Sequence, residues 1–376
     1  MDNILLSAAL AFLITFFAIP VIIQIAKSKK LFDEPDERKV HKTVIPTLGG
    51  LGIFAGFIVA VLLGVPSTNN PEFQYFVAAA IVIFFLGIKD DIMILSASKK
   101  FIGQLIAAAI IIHFGGIQIT NMHGFMGIYG LPPVAGIVLS FFTIIVITNS
   151  FNLIDGVDGL AGTLGLITTI ALGAYFLVVG QTAYAVLAFS LTGSIIGFLI
   201  YNFSPAKIFM GDTGSLLLGL INSILVIKFI NLAATPGSHL PIQASPAVGF
   251  AIMIIPLFDT LRVFGLRILD RRSPFSPDRN HIHHYLLDLG FSHKKITFTC
   301  ALVTIIFIAF AFYFRNSDTT LMIGTILAVS TGLTALIYYS RRKIISRKTY
   351  MPVAGEKEII KSHKILTLIS DTVEVD

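Results

Sequence analysis

A chain of 376 residues that is 55% hydrophobic and only 13% charged, with a mean hydropathy of +0.86, lies far outside the range of a soluble domain and reads as an integral membrane protein. The formal net charge of +6 calls for no nucleic-acid partner, because the basic residues fall where a bilayer sorts them. The single cysteine, Cys300, excludes an internal disulfide and any cage of thiolates.

Apolar windows able to cross a hydrocarbon core of about 30 Å number about eleven, each roughly 15 to 23 residues long. They begin at Ile4, Leu48, Tyr75, Phe101, Val134, Leu160, Tyr184, Leu216, Val248, Thr297 and Leu321. The first runs on to Ala26 with neither a basic start nor a small-residue cleavage site, so no cleavable leader is expected. Lys and Arg fall in alternate loops: six in 27–42, three in 89–100, Lys207, seven in 262–295 and eight from Arg341 onward. Only Lys228 and Arg315 lie toward the other face, which puts the N-terminus outside and the C-terminus in the cytoplasm. The expected architecture is all-α and polytopic, with one membrane domain over 1–340 and a cytoplasmic tail over 341–376. Arg341, Arg342, Lys343, Arg347 and Lys348 would anchor that tail on anionic lipid at roughly 1 kcal/mol per residue, so truncation after Lys348 is expected to spare activity.

In this orientation the outer loops read as plain connections, 120–133 as a Gly-rich hairpin, while the cytoplasmic loops collect the chemistry. Asp90 and Asp91 end the third window. Paired to Lys89 they are a solvated span end, but adjacent carboxylates repel, and a divalent cation or acid/base work would relieve that. Asn149, Asn152, Asp155 and Asp158 follow at three-residue spacing, with Gly156 and Gly159 letting the backbone turn. A helix cap explains one Asp but not four polar residues in register. Gly211, Asp212, Thr213, Gly214 and Ser215 open the eighth window as an N-cap or as a cradle of free amides for phosphate. Pro256, one turn before Asp259, either kinks its span to open a lateral groove for a lipid tail or is a harmless transmembrane proline. Between Arg271 and His284, prolines forbid a continuous helix. Three readings stand open there: a zinc site of the three histidines, a solvated basic loop and, favoured by the arginines, a loop of donors that grips phosphate.

Taken in order, Asp90-Asp91, the Asn149 to Gly159 run, Gly211 to Ser215 and His281-x-His283-His284 resemble the polyprenyl-phosphate N-acetylhexosamine-1-phosphate transferase family, over roughly residues 3–340. The resemblance implies transfer of a phospho-sugar from a UDP-sugar to an isoprenoid phosphate at the cytoplasmic face of the cell membrane. It also implies Mg²⁺, with Mn²⁺ as a substitute, and release of UMP. The interrupted histidines are similar to the branch using UDP-N-acetylglucosamine, with the muramoyl-pentapeptide branch, which has three consecutive histidines, as the alternative. By the same resemblance Asp91 and Asp212 ligate the metal with Asn149 or Asn152, and Asp90, Asp91, Asp155 and Asp212 form the catalytic set. Phe209 stacks on uracil while Asn202 and Asp158 read its edge. Lys207, Arg272, His281, His283, His284 and Lys42 complete the substrate contacts; Lys42 and the stretch from Pro46 to Gly50 match less tightly. A homodimer is compatible with this reading. An anion transporter and a lipid-binding scaffold without turnover are the rivals from other classes. A transport path would need polar groups at the midplane and beyond, where the outer half is nearly bare.

Overall fold

A computed structural model describes residues 2–29, 32–33, 45–66, 68–234, 239–273 and 280–349. Lys42 and the tail beyond 349 lie outside the described residues. The helices are α1 (Asp2–Lys29), α2 (Gly49–Gly64), α3 (Phe73–Ile92), α4 (Ala97–Ala109, continuing in a wider turn to Phe114), α5 (Pro133–Ile154), α6 (Leu160–Val178), α7 (Thr182–Asn202) and α8 (Gly211–Ala233). They continue as α9 (Ser245–Ile252), α10 (Ile254–Leu269), α11 (Ile282–Asp288), α12 (His293–Tyr313) and α13 (Thr319–Thr349). Two small antiparallel pairs complete the described structure: β1 (Phe32–Asp33) with β2 (Ile45–Pro46), and β3 (Asn121–Phe125) with β4 (Ile128–Gly130). The second pair is the hairpin expected in 120–133.

This is an all-α multi-pass membrane protein. Among the described residues eight helices are long and apolar enough to cross a bilayer, or nine if α9 and α10 form one broken span. Every predicted window falls on a helix. The two that add nothing to that count lie on α2, which has 16 residues, and on α3, whose last turn carries Lys89, Asp90 and Asp91.

The axis of the bundle is α8, in which every residue from 213 to 227 is buried. A helix apolar on all sides must be wrapped by others, and α8 packs against α2, α3, α5 and α6. By contrast α1 turns Leu5, Leu6 and Phe17 outward, where lipid tails would cover them. Two glycines let neighbouring backbones touch the first turn of α8. A Cβ on Gly50 would sit 2.2 Å from the Gly214 nitrogen, and one on Gly87 2.4 Å from the Thr213 Cα. Close approach through small residues is how helices associate in lipid, where apolar burial drives nothing.

Between α9 and α10 the chain bends by 89°. The bend lies at Met253, three residues before the proline that the sequence suggested. Pro256 is therefore the third residue of α10, where its missing N–H would have lacked an intrahelical partner in any case. The bend helps to open an apolar cavity of about 200 Å³ between α5, α8 and α10, lined by Phe142, Val146, Val226, Ile230, Leu257 and Leu261 among others.

Candidate active site

At the end of the bundle where α8 begins, α3 ends and α5 ends, the predicted carboxylates and amides meet. The linker from α3 to α4 is short, so α4 folds back beside α3 and its first turn carries Lys100 to Asp90. The Lys100 ammonium lies 2.7 Å from Asp90 Oδ2 and 2.7 Å from Asp212 Oδ2. Asp90 Oδ1 accepts the Leu95 N–H at 2.7 Å. Asn152, from the last turn of α5, donates to Asp212 Oδ1 at 2.9 Å and to Ser215 Oγ at 3.0 Å. Of the two amides proposed beside Asp212, the structure brings in Asn152. Asn149 instead exchanges bonds with Gln104 of α4, donating to its Oε1 at 2.7 Å.

Asp91 reaches across to cap a helix that is not its own. Its Oδ1 accepts the Asp212 N–H at 2.7 Å, and its Oδ2 accepts the Thr213 N–H at 3.1 Å and the Thr213 hydroxyl at 2.6 Å. The first amides of α8 lack intrahelical partners, and a carboxylate there also meets the favourable end of the helix dipole. Gly211 adopts a φ of +70°, which positions this turn, and a Cβ on it would clash with Thr47 O and with Asp91 itself. Asp91 thereby holds the backbone turn from which Asp212 projects.

Asp155 follows α5 in the turn before α6. Burial and the negative charges of Asp212, Asp91 and Asp158 push its carboxyl up to about 8. Burial is the larger cause, and a carboxyl at about 8 is protonated at neutral pH, so the negative charge at this end sits on the carboxylates around the Lys100 ammonium, which bridges Asp90 and Asp212. Carboxylate and amide oxygens are the donors that a hard divalent cation takes. Among the described residues no three His, Cys, Asp or Glu side chains sit close enough to cage an ion. Magnesium suits such a set, because it keeps several waters and binds through one or two carboxylates plus substrate phosphates.

Phe209 precedes α8 and is half-buried. Its N–H donates to Pro46 O at 2.7 Å and its carbonyl accepts the Gly49 N–H at 2.9 Å, so the stretch from Pro46 to Gly50 is built into the site as its support. Asn202 and Asp158, expected to read a base, are both buried and brace the surrounding loops. Asn202 accepts the Gly159 N–H at 2.9 Å and donates to Ile208 O at 2.8 Å. Asp158 accepts the Ala206 N–H at 3.1 Å and faces His293 Nδ1 at 3.1 Å.

The histidines lie at the start of α11, His281 and His283 both buried with their rings nearly parallel, 5.7 Å apart. A Cβ on Gly156 would come 2.7 Å from His283 Nε2, so this helix closes directly over the Asp155 turn. Burial, with His284 alongside, pushes the His283 imidazole down to about 3, and it is neutral at physiological pH. Arg272 and Lys207 are exposed, Arg272 paired with Asp270 at 2.7 Å.

The reading from sequence missed Lys100, Gln104 and His293, and gave Thr213 a place only within the Gly211 to Ser215 turn. Lys100 was counted only as a basic loop residue. Its position nine residues after Asp91, beyond a short linker, was the available signal, since a tight antiparallel turn returns it to the same end of the bundle.

Residues 73–230 match the model of glycosyl transferase family 4. The chain is 34% identical over 317 residues to the probable undecaprenyl-phosphate N-acetylglucosaminyl 1-phosphate transferase of Bacillus subtilis (strain 168), covering 82% of this chain and 85% of that protein. It is 33% identical over 365 residues to the decaprenyl-phosphate N-acetylglucosaminephosphotransferase of Mycobacterium tuberculosis (strain ATCC 25618 / H37Rv), covering 88% of each. With the undecaprenyl-phosphate alpha-N-acetylglucosaminyl 1-phosphate transferase of Escherichia coli (strain K12) it shares 32% over 290 residues, covering 74% and 76%.

Proposed function

Because this chain belongs to glycosyl transferase family 4, as a membrane-embedded phospho-sugar transferase, we propose that it moves N-acetylglucosamine-1-phosphate from UDP-N-acetylglucosamine to undecaprenyl or a related polyprenyl phosphate. The products are polyprenyl-diphospho-N-acetylglucosamine and UMP, and the step begins a cell-envelope glycan at the cytoplasmic face of the plasma membrane. The observation that carries this reading is the cluster of Asp90, Lys100, Asp212 and Asn152 at one end of the bundle. The apolar cavity lies further along α5 and α8, reaching Ile119 and Met122 beside the hairpin, and is the space in which a lipid tail is tested below.

The lipid phosphate is already anionic at neutral pH, so it needs alignment and charge relief more than a strong base. One of its oxygens bonds to the sugar-linked phosphorus while the bond from that phosphorus to the bridging oxygen breaks and UMP departs with that oxygen. Asp212 and Asn152 would hold magnesium, which when bound supplies charge relief to the phosphates. Asp91, by capping α8, holds the turn from which Asp212 projects. Asp90 has its oxygens engaged by Leu95 N–H and Lys100, an arrangement that suits holding Lys100 in place and direct attack by the lipid phosphate. Lys100 neutralises the two carboxylates and offers positive charge to the pyrophosphate. Phe209 gives uracil an aromatic face, and His281, His283 and His284 close the site from above, toward the sugar and pyrophosphate.

Phe209→Ala is expected to weaken UMP binding by about 1 to 3 kcal/mol, the scale of a base stacked on an aromatic ring, with a smaller effect on the lipid. Calorimetry with UMP measures it, and an unchanged affinity removes Phe209 from the nucleotide site. In the cavity, Val146→Trp should raise the KM for undecaprenyl phosphate several-fold and leave that for the UDP-sugar in place, because the added ring fills space meant for the isoprenoid chain. Equal changes in both KM values would place the lipid tail elsewhere.

The reaction itself is tested by release of UMP from purified protein given undecaprenyl phosphate, magnesium and either UDP-N-acetylglucosamine or UDP-muramoyl-pentapeptide. Faster release from the pentapeptide donor would reassign the donor. No release from either would overturn the function.

A further inference from the structure

The end of the bundle holds one more buried carboxylate, and it touches none of the groups that crowd around Lys100. Asp259 lies in α10, just past the 89° bend, and is 1% exposed. Its Oδ2 is 2.9 Å from His281 Nδ1, and its Oδ1 accepts the Ile282 N–H at 3.1 Å. Arg262, one turn along the same helix, donates to Asp259 Oδ1 at 2.7 Å and to the Asn280 carbonyl. Three successive residues, Asn280, His281 and Ile282, are thus held by two side chains of α10.

The cost of burying this carboxylate is met by the Arg262 guanidinium, the Ile282 N–H and, above both, the bond to His281. That last bond has its consequence for the imidazole. An ionised carboxylate accepts only, so Nδ1 must carry the proton, and in the neutral ring Nε2 must then be the acceptor. The same contact fixes the plane of the ring, which lies parallel to His283 within 8°. The bend makes this possible: it turns α10 so that Leu257 and Leu261 line the apolar cavity while Asp259 faces the start of α11.

We propose that Asp259 is a positioning residue that acts through His281, holding its imidazole in the Nδ1–H form and in the orientation in which it meets the phospho-sugar donor. The proposal rests on the reading of His281 as a donor contact. The fixed tautomer is a property of the protein before any substrate binds.

Two measurements separate these. Nitrogen-15 NMR of histidine-labelled full-length protein in detergent, without substrate, reads the tautomer of His281, assigned by its loss in His281→Ala. The Nδ1–H form is expected in the native protein and a mixture in Asp259→Asn. An Nε2–H form in the native protein overturns the proposal whatever the enzyme does. In steady-state assays Asp259→Asn should raise the KM for UDP-N-acetylglucosamine about ten-fold, as loss of an orienting partner does, and leave that for undecaprenyl phosphate unchanged. Added to His281→Ala, the same substitution should change turnover less than two-fold, because the residue it acts through is gone. Additive losses, or both KM values rising together, would show that Asp259 supports the fold alone. Normal tautomer data with no turnover of any UDP-sugar by the native protein would instead remove the proposed function and leave Asp259 as the partner of His281.

Discussion

Asp212→Asn is expected to lower turnover by about 10²–10³-fold, the scale of removing one preorganised electrostatic contact to a transition state. Asp212 is the carboxylate on which Lys100 and Asn152 both converge, and a neutral amide ligates magnesium poorly. The melting temperature should scarcely move, because the lost ion pair with Lys100 is partly exposed and repulsion from Asp90 is relieved. Asp91→Asn should also lose activity but by another route. The new NH₂ group faces donors at Thr213, the cap on α8 fails at a cost of about 1 kcal/mol, and the melting temperature falls. Turnover measured across a magnesium titration, beside thermal melts of both variants, checks the distinction. Near-normal activity of Asp212→Asn at low magnesium would end its assignment as a ligand.

Lys100→Gln should cost nearly as much, about a hundred-fold in kcat/KM, and should affect both substrates. Without the ammonium, Asp90 and Asp212 face each other across the position it held, and two anionic phosphates must approach a more negative site. Lys100→Arg keeps the charge but replaces a compact ammonium with a planar fork, so it should recover part of the loss. Activity of Lys100→Gln within a few-fold of native would mean that the carboxylates need no fixed cation. Raising the salt concentration should narrow the gap between Lys100→Gln and the native protein at low substrate, as expected when part of the effect is attraction over a distance.

The membrane architecture was legible in the sequence because it depends on quantities that read along a line. The length of an apolar run decides whether a helix can cross a bilayer. All eleven windows fall on helices, and the polar residues that no bilayer tolerates without a reason, from Asp90 to His284, collect at one end of the bundle. The phospho-sugar transferase reading rested instead on a family resemblance carried by Asp90-Asp91, Asn152, Asp155, Asp212 and the histidines in their order along the chain.

Which residue bonds which depended on packing. Lys100 and Asp212 are 112 positions apart in the chain, Asp91 and Thr213 are 122 apart, and Asn152 and Asp212 are 60 apart. No periodicity links such pairs. They meet because Gly50 and Gly87 let α2 and α3 press on the first turn of α8, and because a short linker folds α4 back beside α3. Tertiary structure alone therefore decided that Asn149 belongs to Gln104, that Asp158 and Asn202 brace loops, and that Asp91 caps a helix. It also placed the bend at Met253 and carried Asp259 to His281. The chemical types and the end of the bundle on which they gather follow from composition and spacing. Their partners follow from how closely two backbones can approach, and that depends on the shape of both surfaces at once.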